Sequence, residues 1–406
     1  MAGLLLAGLS LSPQPVVLVA DVGVDDAGAL LFALGSPSLQ VLGIASSFGC
    51  DPSPLATASN ARRVLAAANR SDVGVYVGSR FPLGHASPMP HDGSWIHGPG
   101  GFGATEVDGC DAFTPTELSA AEFIVRVARE RPGEVSVLSF SPLVDVALAT
   151  IIEPRLPTLL RSLVLMGGAV YAPGNAEPLA EANFLHDPVA AQLVLRAFQS
   201  PKLVIAPLDV TMRVLLDDQL ISTIARSGRA AAMFAEPWRE YYAAAYCRVF
   251  MECRGAPLHD AMVVAYLLEP DMFTNQSEVI ITSTTGASAT PSSSSTSSFS
   301  LIVALNVVVA EGTAAHGHSF VDRRGPTPEG VPLARVLLDV DGERFKQVLV
   351  KTSIWKRFCQ LPVGNAFVSL QFGTLLWASD GHIDEKSAVV LPLESELIYL
   401  NLVIVG

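Results

Sequence analysis

Charge is scarce in this chain: only 16% of its 406 residues are Asp, Glu, Lys or Arg. Positive charge is scarcer still, since 26 Lys and Arg stand against 39 Asp and Glu, a formal net charge of −13. That balance excludes the broad basic surface by which a protein grips nucleic acid or an anionic membrane. Cysteine is sparse as well. Cys50, Cys110, Cys247, Cys253 and Cys359 are odd in number, widely spaced and form no CxxC pair. Neither a thiolate zinc site nor a disulfide framework is therefore expected, and a reducing, cytoplasmic setting is the default. No apolar run reaches the roughly 18 residues that a membrane-spanning helix needs. The stretch from Met1 to Pro15 is apolar but holds no Lys or Arg. A secretory signal needs a positive start, so this stretch is expected to be an ordinary lead into the first strand.

What is present is apolar, half of all residues. That supports a sizeable core and argues against a largely disordered chain. Length alone suggests two to three domains, or one large α/β domain with additions.

Short apolar runs alternate with helical patterns. Val16 to Ala20 is a continuous run of the kind buried on both faces of a parallel sheet. Asp25 and Asp26 open a helix that runs through Leu34, with acids in its first turn. Strands are expected over Leu39–Ser47, Val73–Val77, Val135–Phe140, Leu163–Met166 and Leu203–Ala206. Helices are expected over Leu55–Asn69, Ala120–Arg131, Val144–Ile152 and Asp187–Phe198. This alternation predicts an α/β fold, an open and mostly parallel β-sheet with helices on both faces. Gly78 to Thr116 reads as a long loop rich in Gly, Pro and His, a length usually kept for function. Leu216 to Leu268 looks mainly helical. Thr282 to Ser300 is a Ser/Thr tract without apolar periodicity and is expected to be disordered. A strand near Leu301–Val309 and a helix near Glu343–Val350 follow. Beyond Ile354 the chain is apolar but continues no pattern. The expected organisation is one domain over 1–354, interrupted at 282–300, and a C-terminal extension over 355–406.

The stretch Asp21-Val-Gly-Val-Asp25-Asp26 follows the first buried strand directly. In an open parallel sheet, ligands bind beyond the carboxyl ends of the strands. Three carboxylates crowded there repel one another unless a cation neutralises them, and a hard, oxygen-liking ion such as Ca²⁺ would do so. Gly23 lets the backbone turn between Asp21 and the acidic pair. The plainer reading is that Asp25 and Asp26 only cap a helix and that Asp21 is a solvated turn residue.

At these residues the chain resembles the inosine–uridine-preferring nucleoside hydrolases, whose opening motif DxDPGxDD is met here by VADVGVDD from Val19 to Asp26. Val75-Tyr-Val-Gly78 with Pro82-Leu83, Ile96-His97-Gly98, Ser141-Pro-Leu143, Leu165-Met-Gly-Gly168, Gly174-Asn175, Ala180-Glu-Ala-Asn183, Asp187-Pro188, Leu208-Asp209 and His259-Asp260 fall in the family's order. The match spans roughly Val16 to Val350. The AEAN form, the IHG loop and Gly317-His-Ser319 look most like the plant-type branch.

The resemblance implies a calcium site held by the carboxylates of Asp21, Asp26 and Asp260 and by the main-chain carbonyl of Phe140. It implies that Asp25, Asn175, Glu181 and Asn183 hold the sugar hydroxyls, with Met166 along the ring. The implied reaction is hydrolysis of a ribonucleoside to free base and ribose. Asp21 would be the general base, and His259 the acid on the side of the leaving base, with a pKa that could sit near neutrality. A lone histidine beside an apolar helix is more often a satisfied core residue, but its place just before Asp260 favours the site. Trp238, Tyr242, Tyr246 and Phe250 recur every four residues along one helix face. Core packing accounts for at least half of them, whereas Tyr242 and Tyr246 match family tyrosines near the base. Trp95 is either a loop anchor or a stacking surface for a base.

The chain departs from the family at several positions. Val19 replaces the first Asp, Val22 the usual Pro, and Cys50 an Asn at the end of the second strand, with Asp51 next to it. Phe250 falls where an arginine is expected. The resemblance further implies a homo-oligomer, a dimer or tetramer, acting on a small molecule. Two other readings compete. One is a catalytically weak relative that binds calcium and ribose. The other is a Mg²⁺-dependent phosphotransferase, against which Gly23 weighs, because that chemistry wants an acid two residues after Asp21.

Overall fold

The computed structural model describes residues 12–83, 93–103, 115–198, 201–281, 303–307, 316–322 and 333–353, together with 361–363, 366–371 and 374–379. The expected disordered tract at 282–300 and most of the expected lead segment lie outside the described residues. The chain divides into two compact units, Met1–Ser353 and Ile354–Gly406.

The first unit is built on one sheet. Its strands are β1 (Gln14–Ala20), β2 (Leu39–Ser46), β3 (Val75–Val77), β4 (Ser136–Ser139), β5 (Ser162–Met166) and β6 (Leu203–Ala206). Four more follow, β7 (Asn275–Ile281), β8 (Val303–Val307), β9 (Ser319–Asp322) and β10 (Leu333–Asp339). Across the sheet the order is β9-β8-β7-β10-β6-β5-β4-β1-β2-β3. From β10 to β3 every neighbouring pair is parallel. The far edge is mixed, with β7 antiparallel to β10 and β9 antiparallel to β8. Val16 to Ala20 in β1 are wholly buried, as a strand covered on both faces must be.

Helices cover both faces. Val24–Gly35 packs on Arg229–Pro237 and Ala261–Leu268. Ala120–Glu130 packs on Val144–Ile152, which in turn packs on Pro188–Ala197. The apolar sides of this second group and the inward residues of β1, β4, β5, β6 and β10 form one continuous core. Val19 is part of that core and fully buried, so the position where the family carries its first acid is here a packing residue.

The strand order decides where a ligand can sit. The chain moves from β1 outward to β2 and β3, then returns to the other side of β1 for β4, β5 and β6. The connections leaving the carboxyl ends of β1 and β4 therefore part in opposite directions and open a crevice. Asp21 follows the last residue of β1, and Phe140 follows the last residue of β4.

Strands β7 and β9 were not anticipated, and neither were four further features. The long loop contains a helical turn, Ser94–His97, followed by a tight turn at Pro99–Gly101. The mainly helical stretch after Leu216 is interrupted by a short antiparallel pairing of Leu215–Leu216 with Ala256–Pro257. β10 lies beside β6 inside the sheet, although its run carries Arg335. That guanidinium leaves the strand to bond the Tyr266 hydroxyl at 3.0 Å, which is how a charged residue is tolerated there. The second unit contains a three-stranded antiparallel sheet formed by Leu361–Val363, Ala366–Gln371 and Thr374–Ser379.

The expectation of no disulfide is corrected: Cys247 and Cys253 are bridged. The helix Ala244–Phe250 ends at Met251 in the left-handed conformation, φ 58°. That reversal brings the two Cα atoms to 4.3 Å. A six-residue spacing gives no sign of this in the sequence, because only the turn geometry creates the approach.

Candidate active site

Four carboxylates converge at the crevice. Asp21 leaves β1, Asp25 and Asp26 occupy the first turn of helix Val24–Gly35, and Asp260 precedes helix Ala261–Leu268. They are only 4, 7, 1 and 3% exposed, far more buried than helix capping requires. One oxygen each from Asp25, Asp26 and Asp260 lie within 4.8 Å of one another. Asp21, Asp26 and the Cys50 sulphur form a second such group. Burial, opposed in part by bonds from Cys50, pushes the Asp21 carboxyl up to about 7. Burial first, and then the neighbouring carboxylates, hold Asp26 and Asp260 well above the usual range.

Backbone donors fix these groups. Asp26 accepts from the amides of Asp21 at 3.2 Å and Gly23 at 2.9 Å. Asp21 Oδ2 accepts from the Cys50 amide at 2.7 Å. Two glycines are demanded by this crowding. A Cβ on Gly23 would lie 2.5 Å from Cys50 Sγ, and one on Gly49 (φ +152°) would lie 1.9 Å from Asp21 Oδ2. Buried carboxylates that repel one another are stabilised by a bound cation, and an oxygen-rich set of this kind suits a hard one. The residues present therefore fit a divalent metal ion.

A second wall carries the residues expected to hold a sugar. Met166 ends β5, and the Asn183 side-chain Nδ2 donates to its carbonyl oxygen at 3.3 Å and lies 3.4 Å from its sulphur. Glu181 accepts three amides, from Asn183 at 2.7 Å, Gly168 at 2.8 Å and Phe184 at 3.1 Å. Burial outweighs those bonds and raises its carboxyl to about 7. Asn175 Oδ1 accepts from the Ala182 amide at 3.0 Å.

Two residues outside the cavity lining shape this wall. Asp209 accepts the amides of Val170, Tyr171 and Ala172 at 2.8, 2.7 and 3.2 Å. Ser319 Oγ bonds both the amide and the carbonyl of Ala169, at 2.7 and 2.9 Å. Both residues are legible in the sequence as family motif positions, Leu208-Asp209 and Gly317-His-Ser319. Their clamping role depends on contacts across 38 and 150 residues.

The third wall is aromatic. The helix Arg229–Pro237 passes into a π-turn over Trp238–Ala243 and then into Ala244–Phe250. Pro237 brings no N–H to the ladder, and widened turns of this kind recur at functional sites. The Tyr242 hydroxyl donates to Asp25 Oδ2 at 2.9 Å. The Tyr246 hydroxyl meets His259 Nε2 at 2.5 Å, and Thr211 Oγ1 meets His259 Nδ1 at 2.6 Å. Trp238 is 2% exposed and belongs to the core, and the Phe250 ring packs tilted against Tyr246 with ring centres 4.8 Å apart. Trp95 stands at the mouth, 45% exposed.

The expectation that His259 titrates near neutrality is corrected. Burial, the largest cause, lowers its pKa to about 4, so the ring is neutral at physiological pH. Sequence reasoning also left two of its neighbours without a role. Thr211 is one. The other is His97, whose Nδ1 accepts the Val24 amide at 3.1 Å and lies 3.7 Å from Asp25. Burial lowers its pKa too.

All three walls enclose one cavity of about 450 Å³, and every residue expected to serve catalysis, substrate or metal lines it. That size suits a small organic molecule. Cys50 also lines it, whereas Asp51 bonds the Ser53 amide at 2.8 Å instead of facing the site.

A mostly parallel sheet with a buried acidic centre at its topological switch point, sharing one cavity with Asn175, Glu181 and Asn183, defines an α/β protein with a metal-type ligand pocket. Residues 16–347 match the family described as inosine-uridine preferring nucleoside hydrolase, and the chain belongs to that family. Its members hydrolyse a nucleoside to free base and ribose. The chain is 31% identical over 277 residues to a probable uridine nucleosidase 2 of Oryza sativa subsp. japonica, covering 67% of this chain and 79% of that one. It is 33% identical over 261 residues to a pyrimidine-specific ribonucleoside hydrolase of Salmonella newport, covering 64% and 81%. Among solved structures, a purine-preferring ribonucleoside hydrolase from Gardnerella vaginalis matches with a TM-score of 0.71 at 25% identity, over 84% of this chain and 98% of that one. A plant nucleoside hydrolase shares the fold at the same TM-score of 0.71 and 23% identity, over 84% and 99%.

Proposed function

We propose that this chain is a working, calcium-dependent ribonucleoside hydrolase of nucleoside salvage and catabolism, acting on purine or pyrimidine nucleosides or both. The observation that carries this reading is the buried carboxylate cluster lining one cavity with Asn175, Glu181 and Asn183. Asp21, Asp26 and Asp260, with the Phe140 carbonyl, would hold the ion. When bound, calcium lowers the pKa of a water and anchors the ribose hydroxyls.

The chain's own groups do the rest. Asp25, held by the Tyr242 hydroxyl, accepts a hydrogen bond from a ribose hydroxyl, and Glu181 and Asn183 orient the others. Water adds to the anomeric carbon while the bond to the base nitrogen breaks, and that bond's electron pair leaves with the base. Asp21 takes the proton from the attacking water. On the opposite side the base needs a hydrogen-bond donor. A neutral His259 serves if Nδ1 accepts from Thr211 and Nε2–H donates to Tyr246, whose hydroxyl then points its proton at the base. Trp95 at the mouth offers an aromatic face to the base.

The hydrolase domain in this reading is 1–354, and 355–406 is an extension. Homo-oligomerisation as a dimer or tetramer rests on the family resemblance and is read by sedimentation. A cytoplasmic location is carried over from the cysteine usage of the sequence; a reducing compartment would keep the Cys247–Cys253 pair largely as thiols, against the bridge the structure forms. Among the described residues no helix is long and apolar enough to cross a membrane.

The test is a panel of purine and pyrimidine ribonucleosides with a reducing-sugar readout, with and without a calcium chelator. Chelator-sensitive ribose release supports the proposal. Tight binding of ribose and calcium without release would favour the alternative, a catalytically weak binding protein.

A further inference from the structure

One ligand-type atom at the metal centre is not oxygen. Cys50 Sγ lies 3.7 Å from Asp26 Oδ2, and it falls with one oxygen each of Asp21 and Asp26 inside a 4.8 Å group. The thiol lines the same cavity and is 9% exposed. It is also held in place. A Cβ on Gly23 would lie 2.5 Å from the sulphur, and one on Gly93 would lie 3.0 Å from the Cys50 Cα, so the chain closes on Cys50 from two sides. The Cys50 amide donates to Asp21 and its carbonyl accepts from Gly93 at 3.0 Å, which fixes the residue at both ends. A donor fixed this well needs little reorganisation to bind a metal.

Donor type decides which metal benefits. Calcium takes oxygen and gains nothing from sulphur, whereas zinc and cadmium take thiolate together with carboxylate. We propose that Cys50 makes one corner of this centre a sulphur–oxygen site, so that a thiophilic divalent cation of the zinc–cadmium class binds through Cys50 Sγ, Asp21 and Asp26. The inference rests on the metal centre proposed above. As the sulphur–metal bond forms, the thiol proton passes to solvent water. Because Asp21 and Asp26 are shared, such an ion and calcium exclude one another. The protein is then inhibited by zinc-class ions in competition with calcium.

The experiment uses the full chain freed of metal by chelation. Cadmium chloride is titrated in while thiolate-to-cadmium charge-transfer absorption is followed in the ultraviolet, and bound radioactive calcium is measured by equilibrium dialysis on the same samples. The wild-type chain should develop absorption beyond that of its Cys50 variants, whose other cysteines are unchanged, and lose its bound calcium in parallel. Cys50→Ser should lose that absorption and bind cadmium at least about tenfold more weakly, since losing a direct ligand costs no less than losing an outer-shell partner. Cys50→Ala, checked for folding by circular dichroism, guards against a misfolded serine variant. The inference is overturned if either folded variant develops the same absorption as the wild type, or if cadmium binds without displacing calcium. If calcium binds and no Cys50-dependent absorption appears, this inference fails while the calcium reading stands. If neither ion binds, the calcium reading fails and takes this one with it.

Discussion

Burial, with a smaller contribution from Asp25, holds the Asp21 carboxyl at about 7, yet the proposed reaction needs it ionised and ready to accept a proton. A cation in the cluster reconciles the two, because it favours the charged form that burial opposes. Asp21→Asn keeps the size and one oxygen but cannot accept a proton at neutral pH. Removing a general base typically costs on the order of 10² to 10⁴ in rate, so turnover should fall at least about a hundredfold even at saturating calcium. Asp260→Ala should instead raise the calcium concentration needed for half-activity. Ribose release by both variants across a calcium titration checks this, and an Asn variant keeping more than about a tenth of wild-type turnover would remove Asp21 from the role. Thr211 is the residue whose part only the structure reveals. Thr211→Val removes the partner of His259 Nδ1, and a lost hydrogen bond of about 1 kcal/mol should lower turnover roughly fivefold to tenfold. The effect should be on kcat with KM little changed, because Thr211 does not line the cavity.

At the scale of elements, the aromatic helix carries the wall proposed to face the base and ends in the Cys247–Cys253 bridge. The bridge closes a short loop directly after Tyr246, the partner of His259. Closing so short a loop limits the unfolded chain by about 2 kcal/mol in the chain-entropy account. The bridge is exposed to solvent at Cys253, so a small thiol reductant can reach it. Urea unfolding with and without reductant should show the reduced form less stable by that order, and Cys253→Ser should match the reduced wild type. Equal midpoints in oxidised and reduced samples would show that the bridge adds no stability through the unfolded chain.

For the molecule as a whole, pH dependence reports the buried acids. Asp145 is 1% exposed and accepts the Ser79 amide at 3.0 Å, and that bond and Ser47 only partly offset its burial. Burial, the largest cause, raises its carboxyl to about 7. Between the ordinary value near 3.8 and about 7 the folded state holds this proton while the unfolded state has released it. Stability from this group therefore falls as pH rises through that window and levels off above it. Asp145→Asn removes the titration and keeps an acceptor for Ser79. The variant's melting temperature should gain on the wild type from pH 5 to pH 8, by an amount on the order of a few kcal/mol in stability. Parallel curves across that range would show that Asp145 stays ionised in the fold. Asp21 and Glu181 titrate in both proteins, so their contributions cancel in the comparison.

Much of this was open to reading in the sequence, for a physical reason. Val16 to Ala20 is apolar without alternation because both faces of β1 are covered, and that burial is a composition rule as much as a structural one. Helix Val144–Ile152 and strand Leu203–Ala206 appear at the expected bounds because local periodicity and flanking breakers suffice to set them. The acids at Asp21, Asp25 and Asp26 were legible because they are close in sequence and follow a strand. Asp260 could be added only through family resemblance, since nothing local ties it to them. What tertiary structure alone decided is what depends on approach between distant segments. Arg335 hid β10 until its partner Tyr266 was seen. Thr211 gained a role only beside His259. Cys253 met Cys247 only through the left-handed residue at Met251. The pKa of His259 moved because packing removed water from around it, and burial of that kind is a property of the whole fold that no neighbouring residue in the chain reveals.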